Sequence, residues 1–343
     1  MNEMIADLIT LPATTRPARL GFLGVGWIGR HRMEAILASG AAEAVAVADP
    51  SPEMAAEARK LAPNAEIVGS LEDLLTLDLD GVVIATPSAQ HAAQSIQALQ
   101  AGVAVFCQKP LGRNADEVEA VVAAARAADR LLGVDLSYRH TEGMRQIRSL
   151  LKAGELGDVF AADLVFHNAY GPDKPWFYDK SLSGGGCVMD LGIHLADLAL
   201  WALDFPEVEK VTSQLFHQGQ RIRGTAEQVE DFATATIELS TGNVLRLTCS
   251  WRLQAGCDAL IGATFYGTKG GAQMGNTDGS FYDFRAERFH GTSRELLIDP
   301  PDDWGGRAAA DWAERLRSGL RYDAACEEYI TTAKVIDRIY QGR

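Results

Sequence analysis

The segment 184–201 contains an aspartate and a histidine four residues apart, Asp190 and His194. In an α-helix this spacing places the two side chains on one face, one turn apart. A carboxylate beside an imidazole can orient the ring and stabilise its charged form, as general acid–base catalysis requires. The same pair also occurs on solvent-exposed helix faces that have no chemical role, so the spacing alone leaves both interpretations open.

The surroundings of this pair favour the chemical interpretation. Apolar residues recur at spacings of three and four over about 188–203, which predicts a helix with one buried stripe. A second, polar stripe contains Asp190, His194, Asp197 and Trp201. Three consecutive glycines, Gly184–Gly186, come just before the helix, and such a backbone suits the close approach of a ligand better than it suits helix stability.

Lys109 is a further candidate for a chemical role. It follows an apolar run that ends at Cys107, and it precedes Pro110. If that run is a strand of a parallel sheet, Lys109 lies at the carboxyl end of the strand, where ligands bind. An ordinary surface lysine is the alternative. The Lys109–Pro110 bond is a candidate for the cis form, which costs only about 0.5–1 kcal/mol before proline.

A glycine-rich turn near the N-terminus indicates the ligand. The apolar run Ala18 to Leu23 leads into Gly24-x-Gly26-x-x-Gly29, and a helical pattern begins at Trp27 and Ile28. The first glycine permits the tight turn, the second lets the backbone approach a pyrophosphate, and the third lets helix and strand pack closely. The N–H groups at the start of the helix would face the anion. The pattern predicts a dinucleotide site.

An acidic residue selects between the two nicotinamide dinucleotides. Asp49 ends the second apolar run, about twenty residues after Gly29. There its carboxylate can accept hydrogen bonds from the adenosine ribose and would repel a 2′-phosphate. Pro50 and Ser51 supply no cation to compensate. We therefore expect NAD rather than NADP.

The elements that must position these residues alternate regularly in the first part of the chain. Strands are predicted near 18–24, 43–48, 80–85, 103–107 and 131–135, with helices near 27–38, 51–62, 88–101 and 114–128. Short, continuously apolar strands alternating with helices predict a doubly wound parallel sheet covered on both faces. Thr86, Pro87 and His91 follow the third strand, where they either face the ligand or form a proline turn and a helix start.

After residue 137 the pattern changes to α+β. We expect a helix near 141–153, strands near 159–167, 233–239, 245–253, 260–266 and 281–288, and C-terminal helices near 307–318 and 322–341. Alternating polar and apolar residues predict a largely antiparallel open sheet. The predicted domains are 1–137, with a flexible lead-in over 1–17, and 138–343, with a C-terminal helix able to pack back on the first domain.

One face of this second sheet would have no helix to cover it. Leu245 and Trp251 belong to the face that the helices cover, whereas Thr234, Thr248 and Arg252 line the other. A mixed polar and apolar face of this kind suits a subunit contact. We expect a homodimer or homotetramer assembled through this sheet.

Composition excludes several classes of protein. The formal net charge is −14, which opposes binding to nucleic acid or to an anionic membrane. No stretch approaches the eighteen or so apolar residues of a membrane span, and the N-terminus has no secretion-signal pattern. Five scattered cysteines without a C-x-x-C pair indicate reduced thiols and no metal site. We expect a cytoplasmic protein that binds a small molecule.

In combination these motifs resemble the glucose–fructose oxidoreductase / inositol dehydrogenase / MocA family of nicotinamide-dependent oxidoreductases. The resemblance extends from about residue 18 to the C-terminus. It rests on motifs that stand in the family's order: Gly24-x-Gly26-x-x-Gly29, Ala85-Thr86-Pro87 with His91, Cys107-Gln108-Lys109-Pro110, Gly184–Gly186 with Asp190-Leu-Gly-Ile-His194, and Gly267-Thr-Lys-Gly270.

The resemblance implies a Rossmann domain and hydride transfer between nicotinamide and a hydroxyl of a sugar, polyol or related compound. It assigns catalytic roles to Lys109, Asp190 and His194. It adds Thr86, Pro87, His91, Gln108 and Lys109 to the cofactor contacts expected at Gly24, Gly26, Trp27, Ile28, Gly29 and Asp49. One departure is Gln108, because the family has glutamate there, and its effect depends on which way the side chain points.

For the substrate we expect contacts from Tyr138, Arg139, His167, Trp176 and Tyr178. Trp176 and Tyr178 would form an apolar wall beneath a sugar ring, although both residues also fit ordinary loop packing. His194 is the expected base for the substrate hydroxyl, with Asp190 holding its ring and Lys109 polarising the same oxygen.

Two other functions remain open from sequence. A regulatory protein could bind dinucleotide as a sensor without turnover, although it would have no use for Lys109, Asp190 and His194. A redox-neutral lyase or glycosidase could use tightly held NAD transiently. A net change in nicotinamide absorbance under turnover separates both from a dehydrogenase.

Overall fold

The structure, a computed structural model, describes residues 16–223 and 228–342. Residues 1–15 of the predicted lead-in therefore lie outside the described residues. The described chain forms two β-sheets, one on each side of the predicted boundary at residue 137, with helices packed around and between them. The exact boundary remains a prediction.

The first sheet is a six-stranded parallel sheet in the order β3-β2-β1-β4-β5-β6. This is the doubly wound arrangement that the sequence predicted. Its strands are β1 (Ala18–Leu23), β2 (Ala42–Ala48), β3 (Glu66–Val68), β4 (Gly81–Ile84), β5 (Ala104–Cys107) and β6 (Leu132–Val134). Its helices are α1 (Trp27–Ala38), α2 (Pro52–Leu61), α3 (Leu71–Leu75), α4 (Ser88–Gln100) and α5 (Ala115–Ala128).

The apolar runs form central strands because helices cover both faces of this sheet. All four residues of β4 and all four of β5 are buried. One face packs against a cluster that includes Val121 and Leu99, and the other against a cluster that includes Met33 and Trp312. The carboxyl ends of β1, β4 and β5 consequently meet at one edge, where Gly24, Thr86 and Lys109 follow them.

The second sheet has nine strands in the order β15-β14-β13-β12-β7-β11-β10-β8-β9. It is antiparallel except for the β7–β11 pair. The strands are β7 (Val159–Asn168), β8 (Val208–His217), β9 (Gln220–Arg221), β10 (Phe232–Leu239), β11 (Val244–Ser250), β12 (Ala259–Gly267), β13 (Gly271–Asn276), β14 (Phe284–His290) and β15 (Ser293–Ile298).

The helices that cover one face of this sheet are α6 (Glu142–Lys152), α8 (Ile193–Ala202) and α10 (Glu328–Gln341). Of the other helices in this part, the short α7 (Lys180–Ser183) contacts α4, and α9 (Arg307–Arg317) packs on the first sheet. The expected helix over 188–203 is a π-helical turn, Val188–Gly192, followed by α8. Three 3₁₀ turns complete the pattern, at Ser137–His140, Pro175–Tyr178 and Ala324–Glu327.

Alternation along the strands separates a covered face from an open one. Ala233, Ala235 and Ile237 are buried, whereas the threonine between the first two, Thr234, is only half-buried. Thr234 pairs in register with Thr248, as the sequence predicted for an open face. Arg252 was wrongly placed on that face, because β11 ends at Ser250 and the residue has turned out of the strand with φ of 59°.

The C-terminal helices fix the two parts to each other. Trp312 of α9 packs so closely on the first sheet that a Cβ at Gly81 or at Gly133 would meet its ring at 2.7 Å. The other C-terminal helix, α10, contributes Ala333 to the first core and Ile336 to the second. Within the described part of the chain, no helix is long and apolar enough to cross a membrane.

Candidate active site

A cavity of about 910 Å³ lies at the carboxyl edge of the first sheet and is bounded on its other side by the second part of the chain. It brings together most of the residues singled out by sequence: Gly26, Trp27, Ile28, Asp49, Thr86, Pro87, His91, Gln108, Lys109, Tyr138, Trp176, Asp190 and His194. Five others do not line it: Gly24, Gly29, Arg139, His167 and Tyr178.

The glycine-rich turn has the shape that a pyrophosphate needs. Gly24 has a φ of +80°, and a Cβ there would lie 2.6 Å from the Ala85 carbonyl oxygen. A Cβ at Gly29 would strike the carbonyl oxygen of Gly24, so this glycine serves helix–strand packing. Gly26, by contrast, has no atom within 4 Å of an added Cβ and borders the cavity.

The helix that follows this turn has no side-chain cap. Gly26 occupies the N-cap position of α1, whereas Ser51 caps α2 and Asn114 caps α5 through side-chain oxygens. The first N–H groups of α1 thus lack the side-chain acceptor that α2 and α5 have, at a helix end that borders the cavity. Such an end attracts an anion, so this part of the cavity fits a dinucleotide pyrophosphate.

Asp49 is held by the backbone around it. One carboxylate oxygen accepts a hydrogen bond from the Val25 N–H at 2.8 Å, and the other accepts one from the Ser51 N–H at 2.8 Å. Each carboxylate oxygen can accept a further bond. Asp49 therefore presents a fixed, half-buried acceptor at the cavity wall next to the glycine-rich turn.

The imidazole of His91 bridges the two turns that follow β4 and β5. Its Nδ1 lies 2.7 Å from the Pro110 carbonyl oxygen, and its Nε2 lies 2.7 Å from the Thr86 carbonyl oxygen. Burial lowers the pKa of His91, against the effect of these two carbonyl groups. Its position between the turns indicates that His91 orders the cavity wall around Thr86 and Lys109.

Gln108 belongs to a buried polar cluster that sequence reasoning did not find. Its Nε2 donates to the Asp135 carboxylate at 2.6 Å, and the Arg32 Nε donates to the same oxygen at 2.6 Å. The Ser137 hydroxyl donates to the other oxygen at 2.5 Å. The departure from the expected glutamate has a physical reason here, since glutamate at 108 would oppose a second buried carboxylate.

Lys109 reaches across the cavity to Asp190. Its Nζ donates to the Asp190 carboxylate at 2.7 Å and to the Asp190 carbonyl oxygen at 2.7 Å. The other carboxylate oxygen of Asp190 accepts a bond from the Trp251 indole N–H at 3.0 Å. An ammonium group has three N–H bonds, so one remains for a ligand in the cavity. The Lys109–Pro110 bond is cis, as anticipated from the sequence.

The expected contact between Asp190 and His194 is absent, so the assignment of Asp190 as the group that orients His194 is wrong. The His194 Nδ1 is buried and has no hydrogen-bond partner among the described residues. The ring instead packs edge-on against Tyr138, with 5.0 Å between ring centroids. The physical reason is competition, because Lys109 and Trp251 already hold the carboxylate of Asp190.

Burial also changes the chemistry available to His194. It lowers the pKa of this imidazole well below 6.5, and the nearby charge of Lys109 acts in the same direction. The ring is therefore neutral at neutral pH. With Nδ1 enclosed, Nε2 is the nitrogen left to face the cavity.

The three glycines before this segment pack closely against the protein, and one of them, Gly185, also lines the cavity. A Cβ at Gly186 would strike the Glu230 backbone, and one at Gly185 would strike the Tyr340 hydroxyl. The Glu230 carboxylate accepts hydrogen bonds from Gly186 N at 3.0 Å and from Val188 N at 2.9 Å. Packing against the protein therefore explains Gly186, whereas the close approach of a ligand to Gly185 stays a prediction. The glycines let a buried carboxylate hold the turn that carries Asp190.

Three expected substrate contacts lie elsewhere. Arg139 pairs with Asp197 at 2.6 Å and with Glu328 at 2.8 Å, because this buried guanidinium needs carboxylate partners. The imidazole of His167 lies within 2.8 Å of the Ser250 hydroxyl on the far face of the sheet. Tyr178 donates its hydroxyl to a backbone carbonyl in its own loop and does not reach the cavity. None of these three side chains lines the cavity, so their assignment as substrate contacts is wrong.

The cavity has lining residues that sequence reasoning missed. Besides Arg32 and Asp135, they include Phe281, Tyr282, Asp302, Asp303 and Trp304. The last five of these come from loops that have no motif and that lie at least 91 residues after Asp190 in the sequence. Among the described residues, no group of three or more histidine, cysteine, aspartate or glutamate side chains forms a candidate metal site.

Comparison with known families gives two matches that together span well over half of the chain. Residues 18–136 match the NAD-binding Rossmann fold of the oxidoreductase family, and residues 144–273 match the GFO/IDH/MocA C-terminal domain. A D-glucoside 3-dehydrogenase of Escherichia coli K12 is 27% identical over 273 residues, which are 76% of this chain and 78% of that protein.

Solved structures show the same fold. A 3-ketoreductase from Actinomadura kijaniata in complex with NADP and TDP-benzene aligns with a TM-score of 0.82 at 22% identity, covering 95% of this chain and 98% of the other. Levoglucosan dehydrogenase in complex with NADH and levoglucosan aligns with a TM-score of 0.80 at 20% identity, covering 95% and 97%. One neighbour thus holds NADP and the other NADH.

Proposed function

Because the chain belongs to the GFO/IDH/MocA family of oxidoreductases, which transfer hydride between NAD(P) and CH–OH groups of sugars and polyols, we propose that it does so with Lys109 as the proton-transferring group. The single observation that carries this proposal is the Lys109–Asp190 pair, which lies in the cavity and joins the two halves of the chain.

The cofactor would lie along the carboxyl edge of the first sheet. Gly26 and the uncapped start of α1 would hold the pyrophosphate, with Gly24 and Gly29 shaping the turn. Asp49 would accept bonds from the adenosine ribose. Thr86, Pro87 and Gln108 would contact the nicotinamide half, and His91 would keep their backbone in place. When bound, NAD supplies the hydride acceptor of the reaction.

The protein supplies proton transfer at the substrate oxygen. In the oxidation direction, the Lys109 amine takes the hydroxyl proton as the carbonyl forms, and in reduction its ammonium returns it. The Asp190 carboxylate then neutralises the ammonium at 2.7 Å, and Trp251 keeps the carboxylate oriented. His194, neutral and facing the cavity through Nε2, would hold the same oxygen by a hydrogen bond.

For the cofactor we propose NAD over NADP. Arg30 also lines the cavity, and its positive charge could attract a 2′-phosphate. A carboxylate already lies near this charge, because a hydrogen bond from Lys60 and, more weakly, the charge of Arg30 lower the pKa of Glu57. Asp49 would face a 2′-phosphate with like charge, at a cost of several kcal/mol. Calorimetry should show weaker binding of NADP than of NAD, and Asp49→Ser should narrow the difference. Equal affinity in the unaltered protein would contradict the proposal.

We further propose a homodimer or homotetramer that assembles through the open face of the second sheet and works in the cytoplasm. On this face Val165 pairs in register with Gly262 and Thr248, and Leu260 is 45% exposed. All five cysteines are free thiols, which suits a reducing compartment. Light scattering at micromolar concentration should give an oligomer that Leu260→Glu disrupts. A monomer would contradict the assembly.

A screen of sugars, inositols and their acids with NAD, followed by nicotinamide absorbance, tests the reaction. We expect net NADH formation with at least one neutral sugar or polyol. NAD binding without turnover of any compound would favour a sensor. Product formation without a net absorbance change would favour redox-neutral chemistry.

A further inference from the structure

Two series of aromatic contacts connect the reacting groups with more exposed rings, Tyr282 and Trp176, that line the cavity. The first begins at His194, whose ring meets Tyr138 edge-on at 5.0 Å. Tyr138 in turn stacks on Trp304 at 5.0 Å, with an angle of 28° between the rings. The Trp304 indole N–H donates to the Tyr282 carbonyl oxygen at 2.8 Å. This series ties the position of Tyr282 to that of His194.

The second series begins at Asp190 on the other side of the reacting groups. The Trp251 indole N–H donates to its carboxylate at 3.0 Å, and Phe177 meets the Trp251 ring edge-on at 6.4 Å. Phe177 stacks on Trp176 with only 3.8 Å between centroids. Trp176 and Phe177 both line the cavity.

Exposure increases along both series. Trp251 and Trp304 are 4% and 8% exposed, whereas Tyr282 is 58% exposed and Trp176 is half-buried. The inner rings therefore serve packing, and the outer rings present apolar faces to the cavity. Aromatic faces on rigid supports within a cavity are typical of ligand contacts.

We propose that Trp176 and Tyr282 form an outer subsite that binds an uncharged ring attached to the reacting sugar. The substrate is then a neutral glycoside rather than a free monosaccharide. This inference rests on the proposed function, because it places the reacting ring at Lys109 and His194. A cavity of about 910 Å³ lies near the upper end of the range for ligand sites, as a dinucleotide with a two-ring substrate requires.

The charges next to the outer rings favour an uncharged substituent over a phosphorylated one. A diphosphate needs cations such as free lysines or arginines. Among the described lining residues near the outer rings, the cation is Lys174, which lies 3.2 Å from the Asp173 carboxylate. Asp303 is exposed at the same cavity and has no ion-pair partner among the described residues. The subsite therefore suits an uncharged ring, whether a second sugar or an aromatic aglycone.

The test compares substrates that differ only in this substituent. With NAD and the full-length protein, we would measure kcat/KM for glucose, for both anomers of methyl and phenyl glucoside, for a glucose disaccharide and for UDP-glucose. We expect one phenyl anomer to exceed its methyl counterpart about tenfold, as stacking on one or two aromatic rings allows. UDP-glucose should not exceed the methyl glucoside. The disaccharide shows whether a sugar ring occupies the subsite as well.

Variants connect the preference to the two outer rings. Tyr282→Ala and Trp176→Ala should each lower the phenyl-to-methyl ratio of kcat/KM by roughly five- to tenfold. The matched control is Tyr170→Ala, because Tyr170 is also 58% exposed but does not line the cavity. This control should leave the ratio unchanged.

Three results would overturn the subsite: a phenyl-to-methyl ratio near one, a ratio that Tyr282→Ala and Trp176→Ala leave intact, or a preference for UDP-glucose. If no compound reduces NAD, the proposed function fails and the subsite is judged by binding alone. Phenyl glucoside should then quench tryptophan fluorescence of the NAD-loaded protein, and Tyr282→Ala should weaken that binding. Equal binding by both proteins would overturn the subsite independently.

Discussion

Asp190 and Asp197 belong to the same helical segment, and each pairs with a cation that precedes it in sequence, Lys109 after β5 and Arg139 in the turn Ser137–His140. Lys109 lies 2.7 Å from the Asp190 carboxylate, and Arg139 lies 2.6 Å from that of Asp197. The first pair borders the cavity, with side chains 19% and 16% exposed. In the second pair Asp197 is 2% exposed and does not border the cavity.

The partners of the two cations explain the difference. Arg139 donates Nε and one terminal nitrogen to Asp197 and the other terminal nitrogen to Glu328, while Thr332 also donates to Asp197. Burial opposes this charge, but the ion pair with Asp197 outweighs it and raises the pKa of Arg139. A guanidinium with all groups occupied cannot exchange a proton with a ligand. Lys109 keeps one N–H for the cavity.

The comparison teaches that a cation–carboxylate pair near the boundary between the two parts of the chain has two uses. Closed and fully bonded, as at Arg139–Asp197, it locks α8 and α10 to the turn Ser137–His140. Open to a cavity and built on lysine, as at Lys109–Asp190, it can move a proton. The variants below should separate these uses.

The largest effect should come from Lys109→Met, which removes the proton-transferring group. We expect turnover to fall by roughly 10³–10⁴, near the upper end for a general acid–base. NAD affinity should change little, because the pyrophosphate contacts that we propose lie at Gly26 and α1. Steady-state kinetics and calorimetry measure the two quantities. Lys109→Arg is the matched control, since it keeps the charge but not the proton transfer, and it should also be nearly inactive.

Loss of the Arg139–Asp197 pair should lower the stability of the protein rather than its turnover. Asp197→Leu leaves Arg139 with a buried, partly unpaired charge, which typically costs about 3–5 kcal/mol in the free energy of unfolding. Urea unfolding followed by circular dichroism measures this loss. The double variant Arg139→Met/Asp197→Leu should recover most of it, because the charge that then loses its partner is that of Glu328, whose side chain is 31% exposed rather than buried. If Asp197→Leu had the same free energy of unfolding as the unaltered protein, the Arg139–Asp197 pair would not stabilise the fold.

His194→Asn should have a smaller effect on turnover than Lys109→Met. A neutral imidazole that only holds the substrate oxygen contributes one hydrogen bond, so we expect a loss of about tenfold to a hundredfold. The pH profile of kcat/KM should keep its shape, because a group with so low a pKa does not titrate near neutrality. If turnover fell further than this and the decline of kcat/KM at acidic pH disappeared, His194 rather than Lys109 would be the base.

The smallest effect concerns the pH dependence of stability. The folded protein holds the His194 pKa well below 6.5, whereas the unfolded chain has an ordinary value near 6.5. Below pH 6.5 only the unfolded chain takes up this proton, so stability falls as pH falls, by at most about 1.4 kcal/mol per unit. His194→Asn should remove this contribution between pH 6.5 and 5. If the free energy of unfolding changed with pH in the same way in both proteins, the buried, neutral state of the His194 ring would be contradicted.

The dinucleotide half of the site could be predicted from sequence because its determinants are local. Gly24, Gly26, Gly29 and Asp49 act through one turn and the end of one strand, and the structure places them as their spacing indicated. Strands such as β4 and β5 were equally visible, since every residue in them is buried.

Elements without a hydrophobic signal were missed. The edge strand β3 has three residues, none fully buried, and β8 buries only Val211 of its ten. The strand β13 contains two glycines, and no residue of the edge strand β15 is fully buried. Neighbouring strands, rather than their own sequence, determine that these segments are extended.

The partners of the catalytic segment could not be read from periodicity. Spacing placed Asp190, His194 and Asp197 on one polar stripe, but each has a different environment. Lys109 pairs with Asp190, which is 81 residues away in sequence, and Arg139 pairs with Asp197, which is 58 residues away. The ring of His194 instead packs against Tyr138. Such long-range partners leave no signal in a single helix.

The most direct test of the account is net NAD reduction by neutral sugars and glycosides, followed by absorbance in the unaltered protein and two variants. The account predicts that NADH accumulates together with the ketone product, that Lys109→Met abolishes this accumulation, and that the stabilised double variant Arg139→Met/Asp197→Leu retains it. Turnover by Lys109→Met at the unaltered rate would contradict the account, as would a protein that binds NAD but reduces none with any sugar.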